Sequence, residues 1–357
     1  MQNDPTPSKT SGNTRQATHP THAPNEKKPV IGVSVGDING IGLEVILKAL
    51  SDRRILNMIT PVIFSAPDVI NFYRGQLKIN LKFDLCHRPD QIHHGRVNVV
   101  PCWKEKLMVS FGEINATGGS SAFYSLQSAA RALENQYIDA VVTAPINKNN
   151  IQREDFSFPG HTEFFTAQFE ADDSLMFLVN DELRVGVVTG HIPLTSVGKN
   201  ITRERVGRKL NLMLNSLKQD FGIQKPRVAV LGLNPHAGEA GLLGAEEENI
   251  IKPVIEQSRK NGNLVYGPFP ADGFFGMMQY RKFDGVLAMY HDQGLIPFKT
   301  IAFQTGVNFT AGLPVIRTSP DHGTAYDLAG KNAADETSMR EALYLAADIV
   351  KTRREVN

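Results

Sequence analysis

Three histidines stand at the same kind of place in this chain. Arg184-Val185-Gly186-Val187-Val188-Thr189 runs into Gly190-His191-Ile192-Pro193. Arg227-Val228-Ala229-Val230-Leu231-Gly232 runs into Leu233-Asn234-Pro235-His236-Ala237-Gly238. Val286 to Met289 stops at Tyr290-His291-Asp292-Gln293-Gly294. Each run has the length and composition of a buried parallel strand that ends in a loop. Ligands of open α/β sheets collect just beyond the carboxyl ends of the strands. Three imidazoles converging there would hold one divalent metal and leave positions open for water or substrate. Each histidine alone reads equally well as a group that satisfies a loop backbone. Three such placements on a chain with ten histidines favour the metal.

Other residues could grip an anion. In Phe158-Pro159-Gly160-His161-Thr162-Glu163-Phe164-Phe165, His161 and Thr162 can both donate to an oxyanion or hydroxyl, with Glu163 orienting the histidine. Thr162 reads equally as the N-cap of a helix from Glu163 to Phe169. Lys299 follows His291 closely enough to face the same cleft, and Asn308 and Arg317 lie on a strand-like stretch from Val307 to Arg317. Together they suit a phosphorylated or carboxylated substrate, with Arg317 binding bidentately and Lys299 acting as a point charge. Asp272, in the rigid loop from Gly267 to Asp272, is either a general base or metal-supporting carboxylate or simply loop polarity. Asp272, Asp292 and Lys299 are the candidates for general base.

The elements that must position these groups alternate between strand and helix. Pro29 to Val35 is predicted as a strand, followed by a glycine-rich turn, Gly36-Asp37-Ile38-Asn39-Gly40-Ile41-Gly42, and a helix from Leu43 to Leu50. The glycine spacing is not that of a dinucleotide-binding fingerprint and supports only a tight turn. Further strands are expected at Pro61 to Ser65 and Ile138 to Ala144, with helices at Pro67 to Arg74 and Ala122 to Gln136. The latter helix opens from a Gly/Ser-rich turn at Asn115 to Ser121. Irregular, antiparallel material is expected up to Trp103. A helix opening at Ala245 carries Glu246, Glu247 and Glu248 in its first turn, where acids suit the helix dipole. The alternation indicates a parallel or mostly parallel α/β architecture.

Composition bounds the function. The 357 residues are 41% apolar and 21% charged, ordinary for a soluble globular protein of roughly two domains. A net charge of +1 carries no electrostatic footprint for nucleic acid or an anionic membrane. Two cysteines, Cys86 and Cys102, form neither a disulfide framework nor a paired metal motif, which fits a reducing cytoplasm. Residues 1–28 lack an apolar signal core and read as a disordered tail, and no later run is long enough to span a membrane.

Several motifs in order carry a more specific resemblance. They are Gly160-His161-Thr162-Glu163, His191-Ile192-Pro193-Leu194, Leu233 through Glu239, Tyr290 through Leu295, and Gly312-Leu313-Pro314 with Asp321-His322-Gly323-Thr324-Ala325. From about residue 29 to 350 the chain resembles the 4-hydroxythreonine-4-phosphate dehydrogenase family of vitamin B6 biosynthesis. The resemblance implies metal ligands at His191, His236 and His291, and substrate contacts at His161, Thr162, Lys299, Asn308 and Arg317. It implies an isocitrate/isopropylmalate dehydrogenase-like fold, with two α/β/α subdomains and an active-site cleft between them. The first subdomain would comprise 29–150 plus about 285–357, and the second, with dimer contacts, about 151–284. In that fold a segment like His322-Gly323-Thr324-Ala325-Tyr326-Asp327 contacts the nucleotide, which points to His322, Gly323, Thr324 and Asp327 for NAD or NADP.

The implied activity is oxidation of 4-phosphohydroxy-L-threonine to 2-amino-3-oxo-4-(phosphooxy)butanoate, which decarboxylates to 3-amino-2-oxopropyl phosphate. It would need one divalent ion (Zn, Mg or Co) in a metal site shared across a homodimer. A related dehydrogenase of D-erythronate or D-threonate 4-phosphate, a phosphate acyltransferase on a related fold, and a non-catalytic scaffold are the other readings. The scaffold would be expected to lose some of the histidines or Lys299, and all are present. The first loop departs from the family's usual Gly-Asp-Pro-Ala-Gly-Ile-Gly-Pro-Glu, with Ile38, Asn39 and Leu43 in place of Pro, Ala and Pro.

Overall fold

A computed structural model describes residues 27–356. The expected tail at residues 1–28 lies almost entirely outside them. Among the described residues, twelve strands form a single sheet. They are β1 (Val30–Ser34), β2 (Thr60–Phe64), β3 (Asp84–Leu85), β4 (Asn98–Val100), β5 (Ala140–Thr143), β6 (Leu175–Val179), β7 (Arg184–Thr189), β8 (Arg227–Leu231), β9 (Leu264–Phe269), β10 (Gly285–Tyr290), β11 (Val307–Ala311) and β12 (Ile316–Pro320). The helices are α1 (Gly42–Ser51), α2 (Pro67–Leu77), α3 (Ala116–Glu134), α4 (His161–Gln168), α5 (Leu194–Asn200), α6 (Arg203–Gln219), α7 (Lys252–Lys260), α8 (Ala271–Gly276), α9 (His291–Ala302) and α10 (Thr337–Val356).

The sheet order is β3-β4-β2-β1-β5-β12-β11-β6-β7-β10-β8-β9. β1, β2, β5 and β10 are mostly apolar and buried, as strands of a parallel sheet covered by helices require, whereas β11 and β12, in the middle of the sheet, bury Thr310, Arg317, Thr318 and Ser319. The expected α/β architecture holds. β10 lies between β7 and β8, so Gly285–Tyr290 sits with the second half of the sheet.

Four local expectations need correction. The material before Trp103 is parallel, since β3 pairs with β4 and β4 with β2 in the same direction. The stretch from Val307 to Arg317 is two antiparallel strands, because Gly312 takes a left-handed φ of 90° and turns the chain back. The Gly/Ser-rich segment after Asn115 is already helix. The Asn115 side chain accepts from the Gly118 amide and caps α3, and a Cβ on Gly119 would come within 1.9 Å of the Asn150 carbonyl oxygen. These glycines therefore serve close packing. Finally, α4 begins at His161 with Gly160 at its N-cap, so Thr162 lies inside the first turn.

The glycine-rich turn after β1 is entirely buried. Asp37, fully buried, accepts hydrogen bonds from the Asn39 amide, Asn150 Nδ2 and Tyr326 Oη at 2.7–2.8 Å. The Ile41 amide donates to the Thr324 carbonyl, and the Asn39 side chain ties down Ser110, Glu113 and Asn115. Ile38, Asn39 and Leu43 are core residues, and none lines the cleft described below.

Candidate active site

A cavity of about 790 Å³ opens on one face of the sheet where its direction switches. Strand register puts Arg317 and Ser319 of β12, Asn308 of β11, Met176 and Leu178 of β6 and Val187 of β7 on that face. The first turn of α4, the segment from Pro145 to Lys148 and the start of α9 form the walls.

Arg317 is 3% exposed and, among the described residues, has no carboxylate within ion-pairing distance. Thr143 Oγ1 at the end of β5 accepts from Arg317 Nε at 3.0 Å and Nη2 at 2.7 Å, and Thr310 Oγ1 of β11 accepts from Nη1 at 3.1 Å. Two hydroxyls hold the guanidinium but bring no negative charge. Burial therefore lowers its pKa to about 10, against a small opposing pull from Glu163. A buried cation left unpaired is costly, so the site is arranged for an anion that arrives with the ligand. His161 Nε2 and Asn308 Oδ1 are also buried without a hydrogen-bond partner. Burial, then Arg317 and Lys148, hold His161 neutral well below the usual histidine range. Thr162 lines the same wall, where the α4 amides present the positive end of a helix dipole.

Lys299 lines the opposite wall with Nζ 3.3 Å from Asp321 Oδ2. Burial pushes the Asp321 carboxyl up, and Lys299 pulls it back. His322 and Gly323 line the cavity too. Burial lowers the His322 pKa, its Nδ1 lies 3.0 Å from the Gly323 carbonyl, and its Nε2 is buried without a partner. Thr324 and Asp327, expected beside them, do not line the cavity.

The three strand-end histidines occupy the carboxyl ends of β7, β8 and β10, which are parallel neighbours in the order β7-β10-β8. His191 and His291 face each other in the cavity with ring centroids 5.3 Å apart. Asp292 Oδ1 holds His291 Nδ1 at 2.7 Å, which leaves the other ring nitrogen facing away from the carboxylate. Burial, then Lys148 and His291, lower the His191 pKa. His236 is exposed and does not line the cavity. Among the described residues, no group of three His, Cys, Asp or Glu is placed to hold a metal. Two imidazoles, one oriented by a carboxylate, make a donor set that fits a divalent ion with nitrogen preference and needs a further ligand. Of the general-base candidates, Lys299 lines the cavity, Asp292 is occupied with His291, and Asp272 is exposed on α8 outside it.

The strand ends are stitched together. Thr189 Oγ1 donates to the Met289 carbonyl at 2.8 Å, and Gln293 accepts from the Met289 amide at 2.7 Å and donates to the Gly232 carbonyl at 2.6 Å. Beyond Gly232 the chain enters a left-handed turn. His236, Ala237, Gly238, Glu239 and Ala240 all have φ between 43° and 80°. Each non-glycine residue there costs roughly 1–2 kcal/mol, so the turn needs outside support. Glu247, expected to complement a helix dipole, is instead buried against this turn, and the helix opens with a single π turn, Glu247–Ile251, before α7.

Thr143, Lys148 and Asp321 were not singled out from the sequence. Strand-end reasoning applied to β5 and β12 as it was to the histidine strands would have found them.

Comparison with known proteins gives a consistent result. The pyridoxal phosphate biosynthetic protein PdxA family matches residues 57–346. The chain is 47% identical to a 4-hydroxythreonine-4-phosphate dehydrogenase of Bacteroides thetaiotaomicron, covering 92% of this chain and 91% of the relative. It is 40% identical to a D-threonate 4-phosphate dehydrogenase of Cupriavidus necator, covering 91% and 98%. The crystal structure of a Klebsiella pneumoniae 4-hydroxythreonine-4-phosphate dehydrogenase superposes with a TM-score of 0.78 at 33% identity, covering 92% of this chain and 99% of that one.

Proposed function

The chain belongs to the PdxA family of pyridoxal phosphate biosynthetic proteins, and from that premise we propose that it oxidises 4-phosphohydroxy-L-threonine with NAD or NADP. The product, 2-amino-3-oxo-4-(phosphooxy)butanoate, is a β-keto acid that loses carbon dioxide to give 3-amino-2-oxopropyl phosphate. The observation that carries this reading is the Arg317 guanidinium, buried without a counter-charge beside the unpartnered His161 Nε2 and Asn308 Oδ1. A phosphate or carboxylate supplies the charge and acceptors that these groups lack.

In this reading His161, Thr162, Asn308, Arg317 and Lys299 fix the ends of the substrate and set its hydroxyl carbon opposite the His191–His291 pair. Asp292 orients His291, and the Lys299–Asp321 pair is placed to take up the hydroxyl proton. His191 and His291, with His236 contributed by a second copy, would hold a divalent ion (Zn, Mg or Co), which would supply Lewis-acid stabilisation of negative charge on the substrate oxygen. His322 and Gly323 would contact the nicotinamide nucleotide, with Thr324 and Asp327 reached by the part of it that extends beyond the cavity.

A homodimer follows from the same reading. Leu194, Leu242 and Ile296, each within a few residues of one of the three histidines, are exposed large apolar side chains, as is Phe303. A second copy seated there would cover them. The two-subdomain division of the chain is part of the proposal, with the cleft at their junction. Two free cysteines suit a cytoplasmic setting, and no helix among the described residues is long and apolar enough to cross a membrane.

The D-threonate 4-phosphate relatives support a second reading, in which the same site oxidises a sugar-acid phosphate. Reduced nicotinamide is measured with metal-supplemented protein on 4-phosphohydroxy-L-threonine, D-erythronate 4-phosphate and D-threonate 4-phosphate, each repeated with His291→Ala. Turnover of the amino acid, lost in the variant, is the expected result. Turnover of the sugar acids alone assigns the second reading, and no turnover of any refutes both. Phe303→Asp is expected to shift the sedimentation velocity to that of a monomer and to lower turnover.

A further inference from the structure

We infer that Glu247 is a positioning residue that sets the left-handed turn carrying His236. This rests on the metal reading above. Glu247 is fully buried and, among the described residues, forms no salt bridge. Its Oε1 accepts from the Leu233 amide at 2.7 Å and the Asn234 amide at 2.8 Å, and its Oε2 accepts from Asn234 Nδ2 at 3.0 Å. Those donors immediately precede the turn. On its far side, a Cβ added to Gly238 would fall 2.6 Å from Oε2, and Gly238 has a φ of 80°. Between these holds lie Pro235, His236 and Ala237. At its start the turn is tied through Gly232 to Gln293, two residues beyond His291. One carboxylate thus fixes the path of the chain on both sides of His236, and Gln293 ties that path to the neighbouring histidine. The π turn at Glu247–Ile251 brings a side chain from the start of α7 to this spot, and such turns recur at functional positions.

The expected effect is on metal affinity more than on fold. Residues that orient metal ligands typically change affinity by about 10- to 100-fold when removed. Glu247→Ala, Glu247→Gln, Glu247→Asp and His236→Ala are compared by equilibrium dialysis with cobalt(II), by the visible absorption of the bound ion, and by thermal melting. Glu247→Gln keeps the reach and one acceptor for the two amides, whereas Glu247→Asp keeps the charge and loses the reach. Positioning predicts weaker cobalt binding in the order Gln, Asp, Ala, with an altered cobalt spectrum in Asp and Ala. Should Glu247→Ala fail to fold, the order of the other two decides. Aspartate binding more tightly than glutamine would mean that charge matters rather than position, and would overturn the inference. Unchanged affinity and spectrum in all three Glu247 variants, with loss in His236→Ala, would also overturn it and leave a purely structural role. Unchanged binding in His236→Ala would instead remove the metal reading on which it rests.

Discussion

Two regions of this molecule each bury one charge, and they treat it in opposite ways. Asp37, beneath the glycine-rich turn, receives three donors from its own chain, and Tyr326 and Asn150 are held in return. Arg317, in the cleft, receives two threonine hydroxyls and no negative partner, with two further polar atoms left unsatisfied nearby. The Asp37 carboxylate is satisfied within the chain and serves stability, although Asn150 Oδ1 beside it is left without a partner. The Arg317 arrangement is incomplete, and in the proposed function a ligand completes it. The glycine-rich turn after β1 reads from the sequence as no more than a tight turn, and polar composition alone does not separate the two cases. The distinction lies in whether the hydrogen bonds close within the chain.

That contrast predicts substitutions of opposite character. Arg317→Met should raise the KM for the phosphorylated substrate on the order of 100-fold, while urea denaturation shows equal or greater stability, because an unpaired buried charge is gone. Lower stability would mean that the Arg317 site is as complete as that of Asp37. Asp37→Ala should do the reverse, costing on the order of 3 kcal/mol in denaturation as buried donors lose their acceptor. KM should stay nearly unchanged, and a large KM change would bring the first loop into the substrate site. Thr143→Val removes the acceptor behind Arg317 and should raise KM about tenfold. The smallest effect concerns acid. Burial depresses the His161 pKa in the fold, so its contribution to stability is present above about pH 6.5, where unfolded histidine is neutral, and is lost as pH falls. His161→Gln should flatten the acid limb of stability against pH without abolishing it, because burial also lowers the pKa of His191 and of His322.

What could be read from the sequence was what short-range pattern encodes. Apolar runs of strand length ending at His191, His236 and His291 gave three strand ends, and the sheet makes them neighbours. Arg317 reads from the sequence as an anion-binding residue, and it lines the cleft. Groups defined by long-range register escaped. Thr143 meets Arg317 only because β12 inserts beside β5, and Asp321 meets Lys299 only because β12 and α9 approach in space. The left-handed turn at His236 has glycine at two of six consecutive positive-φ positions, Gly238 and Gly241, so composition points to a turn without showing that His236, Ala237, Glu239 and Ala240 share its hand. Glu247 was assigned to a helix dipole because acids in a first turn usually belong there, and only the π turn directs it elsewhere.

The order in which this sheet can be assembled follows from one pairing. Ile316 lies beside Ala140, and β11 and β12 wedge between β5 and β6, strands made much earlier in synthesis. Until the ribosome has released residues through Pro320, β5 and β6 each expose an unpaired apolar edge, and the floor of the cleft does not exist. Closing so long a loop makes folding slow, and a chain truncated before β12 would present two strand edges prone to aggregation.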